Sequence, residues 1–183
     1  MDCIHRVAMP VRLAGAFEMK TILIILMFVT NPHWTWNATQ ITQTYHDAYS
    51  AMQWWNQQLG VEAFRVNRLD VMGMPDMYDW DWRWTYTSFY LLPRQPNTHT
   101  MYLYRYPIKI GATTIYGWAY PDHDVIRVTH DNSLFDELNM RHEMGHWLGL
   151  TDACYVRDLM CNFMYQTLDP SGRQAALQHL GIQ

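Results

Sequence analysis

His142-Glu143-Met144-Gly145-His146 is where this sequence most densely gathers side chains that can do chemistry. Four positions separate the two histidines. On an α-helix that is about one turn, so both imidazoles project from one side and can reach a single metal ion. Glu143 lies beside the first histidine, where its carboxylate can take a proton from a water in the ion's open position. Taken singly, each histidine reads as an ordinary helix residue. It is the spacing that points to a metal.

A third ligand must come from the candidates after His146, which are Asp152, Cys154, Asp158, Cys161, Asp169 and His179. No glutamate follows Glu143, which argues against sites completed by a glutamate on a later helix. Gly149, three residues past His146, permits a sharp turn, and Asp152, three further on, can swing back under the metal. Asp152 is the strongest of the six.

The five-residue core of this pattern occurs in zinc peptidases but is short. The longer stretch from His142 through Gly149 to Asp152 resembles the metzincin signature, with aspartate where the third histidine is usual, as in snapalysin-like proteases. The resemblance implies a zincin-like α+β fold: a mostly twisted mixed sheet, an N-terminal helix, an active-site helix and a small C-terminal subdomain with one helix. It also implies Zn(2+) held by His142, His146 and Asp152, and Glu143 acting on a zinc-bound water to hydrolyse peptide bonds. Met160 would be the methionine of the turn beneath the zinc, with Met164 as the other candidate. Gly117, Trp118 and Ala119 would lie on an edge strand that pairs with an extended peptide. Neither Tyr155 nor Tyr165 has the spacing of an assisting tyrosine.

The elements that must position these residues can be read from periodicity. Apolar residues at Ile41, Tyr45, Ala48, Met52, Trp55 and Leu59 trace one stripe of a helix over 40–59, stopped by Gly60. Runs rich in Tyr, Thr, Ile and Val at 83–92, 101–106, 113–120 and 124–129 read as strands, with a further short one at 64–67. Asp131-Asn132-Ser133, with Asp136 three residues on, announces a helix running to about Leu148. Asp169-Pro170 opens a last helix over 171–180.

The chain has 183 residues, 49% hydrophobic and 16% charged, enough for one ordinary domain over 31–183. A net charge of −4 and no cluster of basic residues leave no footprint for nucleic acid. The apolar run at 21–29 after Met19-Lys20 is far shorter than the roughly 20 residues needed to cross a bilayer. It reads as the h-region of an export signal within residues 1–30, with Met19 the expected true start and an uncleaved anchor the alternative. The remaining reading of the same run is a buried core strand or helix. Export makes a Cys154–Cys161 disulfide the expectation, and Asn37-Ala38-Thr39 is a possible glycosylation sequon.

Together these observations lead to the expectation of a secreted, monomeric zinc metalloendopeptidase acting on protein or peptide. The rival readings are a zinc-stabilised binding module that does not cleave, and a zinc hydrolase of a non-peptide bond. Glu143 argues against the first, because a structural zinc site is normally closed by a fourth protein ligand.

Overall fold

The apolar run near the N-terminus is a strand of the central sheet. A computed structural model describes residues 20–30, 35–73, 98–105, 108–110, 113–119, 125–129, 136–152, 159–160 and 167–182. In it Ile22–Thr30 forms β1, followed by α1 (Ala38–Leu59), β2 (Phe64–Gly73), β3 (His99–Tyr104), β4 (Ile108–Ile110), β5 (Thr113–Ile115), β6 (Gly117–Ala119), β7 (Val125–Thr129), α2 (Asp136–Trp147) and α3 (Pro170–His179). The sheet order is β2-β1-β3-β7-β6, parallel except for β6, which runs antiparallel to β7. β4 and β5 form a separate antiparallel pair. The result is an α+β fold with a small open, mostly parallel sheet and three helices.

β1 hydrogen-bonds to β2 on one side and to β3 on the other. One of its faces buries Ile22, Ile24, Leu26 and Phe28 in the main core, and Ile25 and Val29 are buried on the other. A parallel strand buried on both faces is a continuous apolar run rather than an alternating one, so at this length it is indistinguishable by composition from an h-region. The run read as an h-region within residues 1–30 is thus β1, the shared neighbour of β2 and β3. Among the described residues no helix is long and apolar enough to cross a membrane.

α1 lies against the sheet through the stripe seen in the sequence. Ala48, Met52, Trp55 and Leu59 are buried, joined by Thr44 and Ala51, while Ile41 and Tyr45 are partly covered. Asn37 caps it: its side chain accepts from the Gln40 N–H at 2.9 Å, and the Gln40 side chain accepts from the Asn37 N–H at 3.1 Å. The asparagine of the sequon thus serves as a helix cap. Gly60 ends the helix in the left-handed conformation at φ 73°.

Strand bounds differ from expectation at several places: β3 lies at His99–Tyr104 rather than 101–106, and β4 was not foreseen. β2 continues to Gly73, well past 64–67, because it pairs along the whole of β1. The run 113–120 is two strands, β5 and β6, parted at Tyr116. The expected strand at 83–92 lies outside the described residues.

Candidate metal centre

α2 carries the histidines, and its seat is set by neighbours on both sides. Trp55 of α1 donates its indole N–H to the Arg141 carbonyl at 2.8 Å. Met140, Met144 and Trp147 are buried in the core beneath the sheet residues Met101, Leu103, Ile126 and Val128. Gly145 faces the most crowded point. A Cβ there would collide with the Met160 sulfur and lie 3.2 Å from the Trp55 ring. One of the two variable residues within the five-residue motif is therefore glycine because a methionine and a tryptophan close on that face of the helix.

Each imidazole is oriented by a backbone carbonyl. His142 Nδ1 lies 2.9 Å from the Leu159 oxygen, and His146 Nδ1 lies 2.9 Å from the Leu150 oxygen. With Nδ1–H donated to a carbonyl, the lone pair of each ring is on Nε2, the arrangement that outer-sphere partners impose on metal-binding histidines. The rings stand 5.2 Å apart at 88°. Burial holds the His146 pKa below its ordinary value, against the opposing pull of the Leu150 carbonyl and Asp152, and so favours the neutral form a metal requires.

The turn after α2 brings in the third group. Gly149 adopts φ 76°, and the Leu148 and Leu150 N–H groups both donate to the Gly145 carbonyl at 3.0 and 3.1 Å. This reversal puts the Leu150 carbonyl under His146 and carries Asp152 back over the ring edges. Asp152 Oδ1 lies 3.1 Å from His142 Nε2 and 3.4 Å from His146 Nε2. The three ligand atoms all fall within 4.8 Å of one another. A tetrahedral ion about 2.0–2.1 Å from each donor would set neighbouring donors about 3.3–3.4 Å apart, so the two Asp152 spacings are of the right size. Two imidazoles and one carboxylate are a donor set that suits zinc and leaves a fourth position open.

Glu143 is 5% exposed and its Oε2 has no hydrogen-bond partner among the described residues. Burial, with the Asp152 charge as a second cause, raises its pKa well above the usual carboxylate value. Glu143 is thus a buried carboxyl of raised proton affinity one residue from His142 of the candidate metal-binding group.

Of the other expected site residues, Leu159 and Met160 form a buried turn, with the Leu159 N–H donating to the Thr167 carbonyl at 2.8 Å and Met160 against Gly145. Gly117–Ala119 is β6, the terminal strand of the sheet order among the described residues. Cys154, Cys161, Tyr155, Met164 and Tyr165 lie outside the described residues. Sequence reading missed Asn139, whose side chain donates to the Tyr116 carbonyl at 2.9 Å and joins α2 to the start of β6. Its position four residues before Glu143, on the same helical face, was the available signal.

No protein-family model and no curated protein sequence matches the chain. Among solved structures, metalloproteinase-II from Bacteroides fragilis is similar over 92% of this chain and 55% of its own, with 13% identity and a TM-score of 0.54. A structure described as a chaperone-substrate complex is similar over 76% of this chain and 26% of its own, with 14% identity and a TM-score of 0.47. The chain thus spans about half the length of the metalloproteinase. At this identity the likeness is one of fold, and that fold is compatible with the zincin-like class.

Proposed function

We propose that this chain is a zinc metalloendopeptidase. The observation that carries the reading is the convergence of His142, His146 and Asp152 on one point, with the buried carboxyl of Glu143 on the same helix. When bound, zinc supplies Lewis acidity that polarises a scissile carbonyl and lowers the pKa of a coordinated water toward about 7.

The chain's own residues do the rest. His142 and His146 offer Nε2 because Leu159 and Leu150 hold their Nδ1–H groups. Asp152 contributes an anionic oxygen that offsets part of the metal charge. Glu143 has a raised proton affinity, so it can accept a proton from the attacking water and return it to the departing amine. β6 has a single sheet neighbour among the described residues, and an extended peptide laid along its outer side would find backbone groups to pair with. An edge of that kind suits an internal stretch of chain, which supports endopeptidase action.

The test is to load the full chain, β1 included, with zinc, measure bound metal, and assay unfolded casein with wild type and Glu143→Gln. The expected result is one zinc per chain in both and a loss of activity of about a hundredfold or more in the variant. Zinc present in both with equal, null activity would overturn the peptidase reading and leave the metal site standing.

A further inference from the structure

Gly117 is a glycine whose backbone does not require one. Among the described residues the left-handed glycines are Gly60, Gly149 and Gly181, and Gly117, paired with Val128 in regular antiparallel register, is not one of them. The atoms nearest to a side chain built there belong to one neighbour. A Cβ built on Gly117 would fall 2.7 Å from both Cδ and Cγ of Glu143 and closer still to Oε1, and these are the three nearest atoms. The Glu143 carboxyl therefore occupies the space that any other residue at 117 would fill.

The approach of β6 to α2 is fixed one residue earlier. Asn139, buried on α2 one turn before Glu143, donates its amide to the Tyr116 carbonyl at 2.9 Å. Tyr116 lies between β5 and β6, outside the register of either pairing. An amide side chain on the helix holds the strand at Tyr116, and a missing Cβ one residue on leaves the room that the Glu143 carboxyl fills. The first sets how near the strand comes, and the second lets the carboxyl lie flat against it.

We infer that Asn139 and Gly117 are positioning residues that seat the carboxyl of Glu143 against β6. This rests on the proposed role of Glu143 for its consequence in catalysis, but the seat itself is a packing relation and can be tested without any activity.

The first arm is a thermodynamic cycle on the full chain, read as melting temperature. Gly117→Ala is expected to lower the midpoint by on the order of 5 °C, as overpacking of a filled site does. In a Glu143→Ala background, where Cγ and the carboxyl are gone, most of that loss should vanish; in Glu143→Gln, which keeps the bulk, it should persist. Equal losses in all three backgrounds would overturn the inference.

The second arm uses zinc-loaded protein and casein. Gly117→Ala and Asn139→Ala should each lower kcat by between about ten- and a hundredfold, with zinc content and KM little changed, because a small misplacement of a reacting group is felt mainly in the chemical step. Asn139→Asp, which keeps the size and removes the donor, should resemble Asn139→Ala. A rise in KM with kcat unchanged would make β6 a substrate-binding strand alone and overturn the positioning role. If wild type binds zinc and cleaves nothing, the peptidase reading fails, and the melting cycle still decides whether the seat exists.

Discussion

The two histidines and the aspartate converge on one point, yet they are held in opposite ways. His142 and His146 sit on a helix whose other faces are in the core, their side chains 15% and 9% exposed, and each ring is fixed by a backbone carbonyl. Asp152 sits beyond the end of the helix, on a side chain that is 67% exposed and touches the imidazoles through one oxygen. The helix ligands are organised by folding itself. The loop ligand is organised by the turn at Gly149 and, once metal is present, by the metal. Removing a ligand should therefore have different consequences on the two sides.

The largest separation is expected between His146→Ala and Asp152→Ala. His146→Ala removes a donor and empties a buried position, so the variant should lose measurable zinc and also melt lower without metal, by the 1–3 kcal/mol or so typical of a buried polar deletion. Asp152→Ala should leave the metal-free melting temperature within about 0.5 kcal/mol of wild type, as exposed substitutions do. Its zinc affinity should fall by about a hundredfold or more, beyond the effect of losing an outer-sphere partner. Competition with a chelator checks both. If Asp152→Ala binds zinc as wild type does, the third ligand lies elsewhere.

The same contrast explains what could be read from the sequence. Helix geometry ties His142, Glu143 and His146 together, so their spacing alone places them on one face, and the stripe at Ala48, Met52, Trp55 and Leu59 is legible for the same reason. Asp152 depends on a loop, and no periodicity governs a loop; Gly149 was the one local sign of the reversal. β1 was ambiguous in the sequence because burial on both faces erases the alternation that marks a strand. Gly117 was noticed only as part of an edge. Its contact with Glu143 joins residues 26 positions apart in sequence, and no pattern along the chain records so long-range a steric fact. Asn139, by contrast, shares Glu143's helical face and could have been found there.

A subtler probe of the loop side is Gly149→Ala. Two features oppose a side chain at 149: the left-handed φ of 76°, and His179 of α3, whose Nδ1 would stand 2.9 Å from the new Cβ. The left-handed conformation costs a non-glycine residue about 1–2 kcal/mol, and the displaced imidazole adds to it. The turn should relax toward an ordinary conformation, moving Asp152 and the Leu150 carbonyl while His142 and its Leu159 partner stay put. The expected signature is a melting temperature lower by about 2–8 °C for a chain of this size, together with weakened zinc binding. A variant that melts lower but binds zinc as wild type does would show that Asp152 finds the metal without help from the turn.

The smallest effect tests Glu143, which belongs to the preorganised side by its helix but stores an electrostatic cost there. In the metal-free protein, burial raises its pKa above the unfolded value near 4.5, so the folded state binds this proton more tightly than the unfolded chain does. The stabilising contribution of that proton is complete below the unfolded pKa and is lost as pH rises through the raised folded pKa. Glu143→Gln cannot ionise and escapes this loss. Metal-stripped Glu143→Gln should therefore match the parent near about pH 4.5 and melt progressively higher than it toward about pH 8. Zinc should narrow the gap, since a cation close to the carboxyl favours its charged form. A difference between the two proteins that stays flat with pH would show that the Glu143 carboxyl is solvated where it sits, and that the acid–base side of the site is no more preorganised than Asp152.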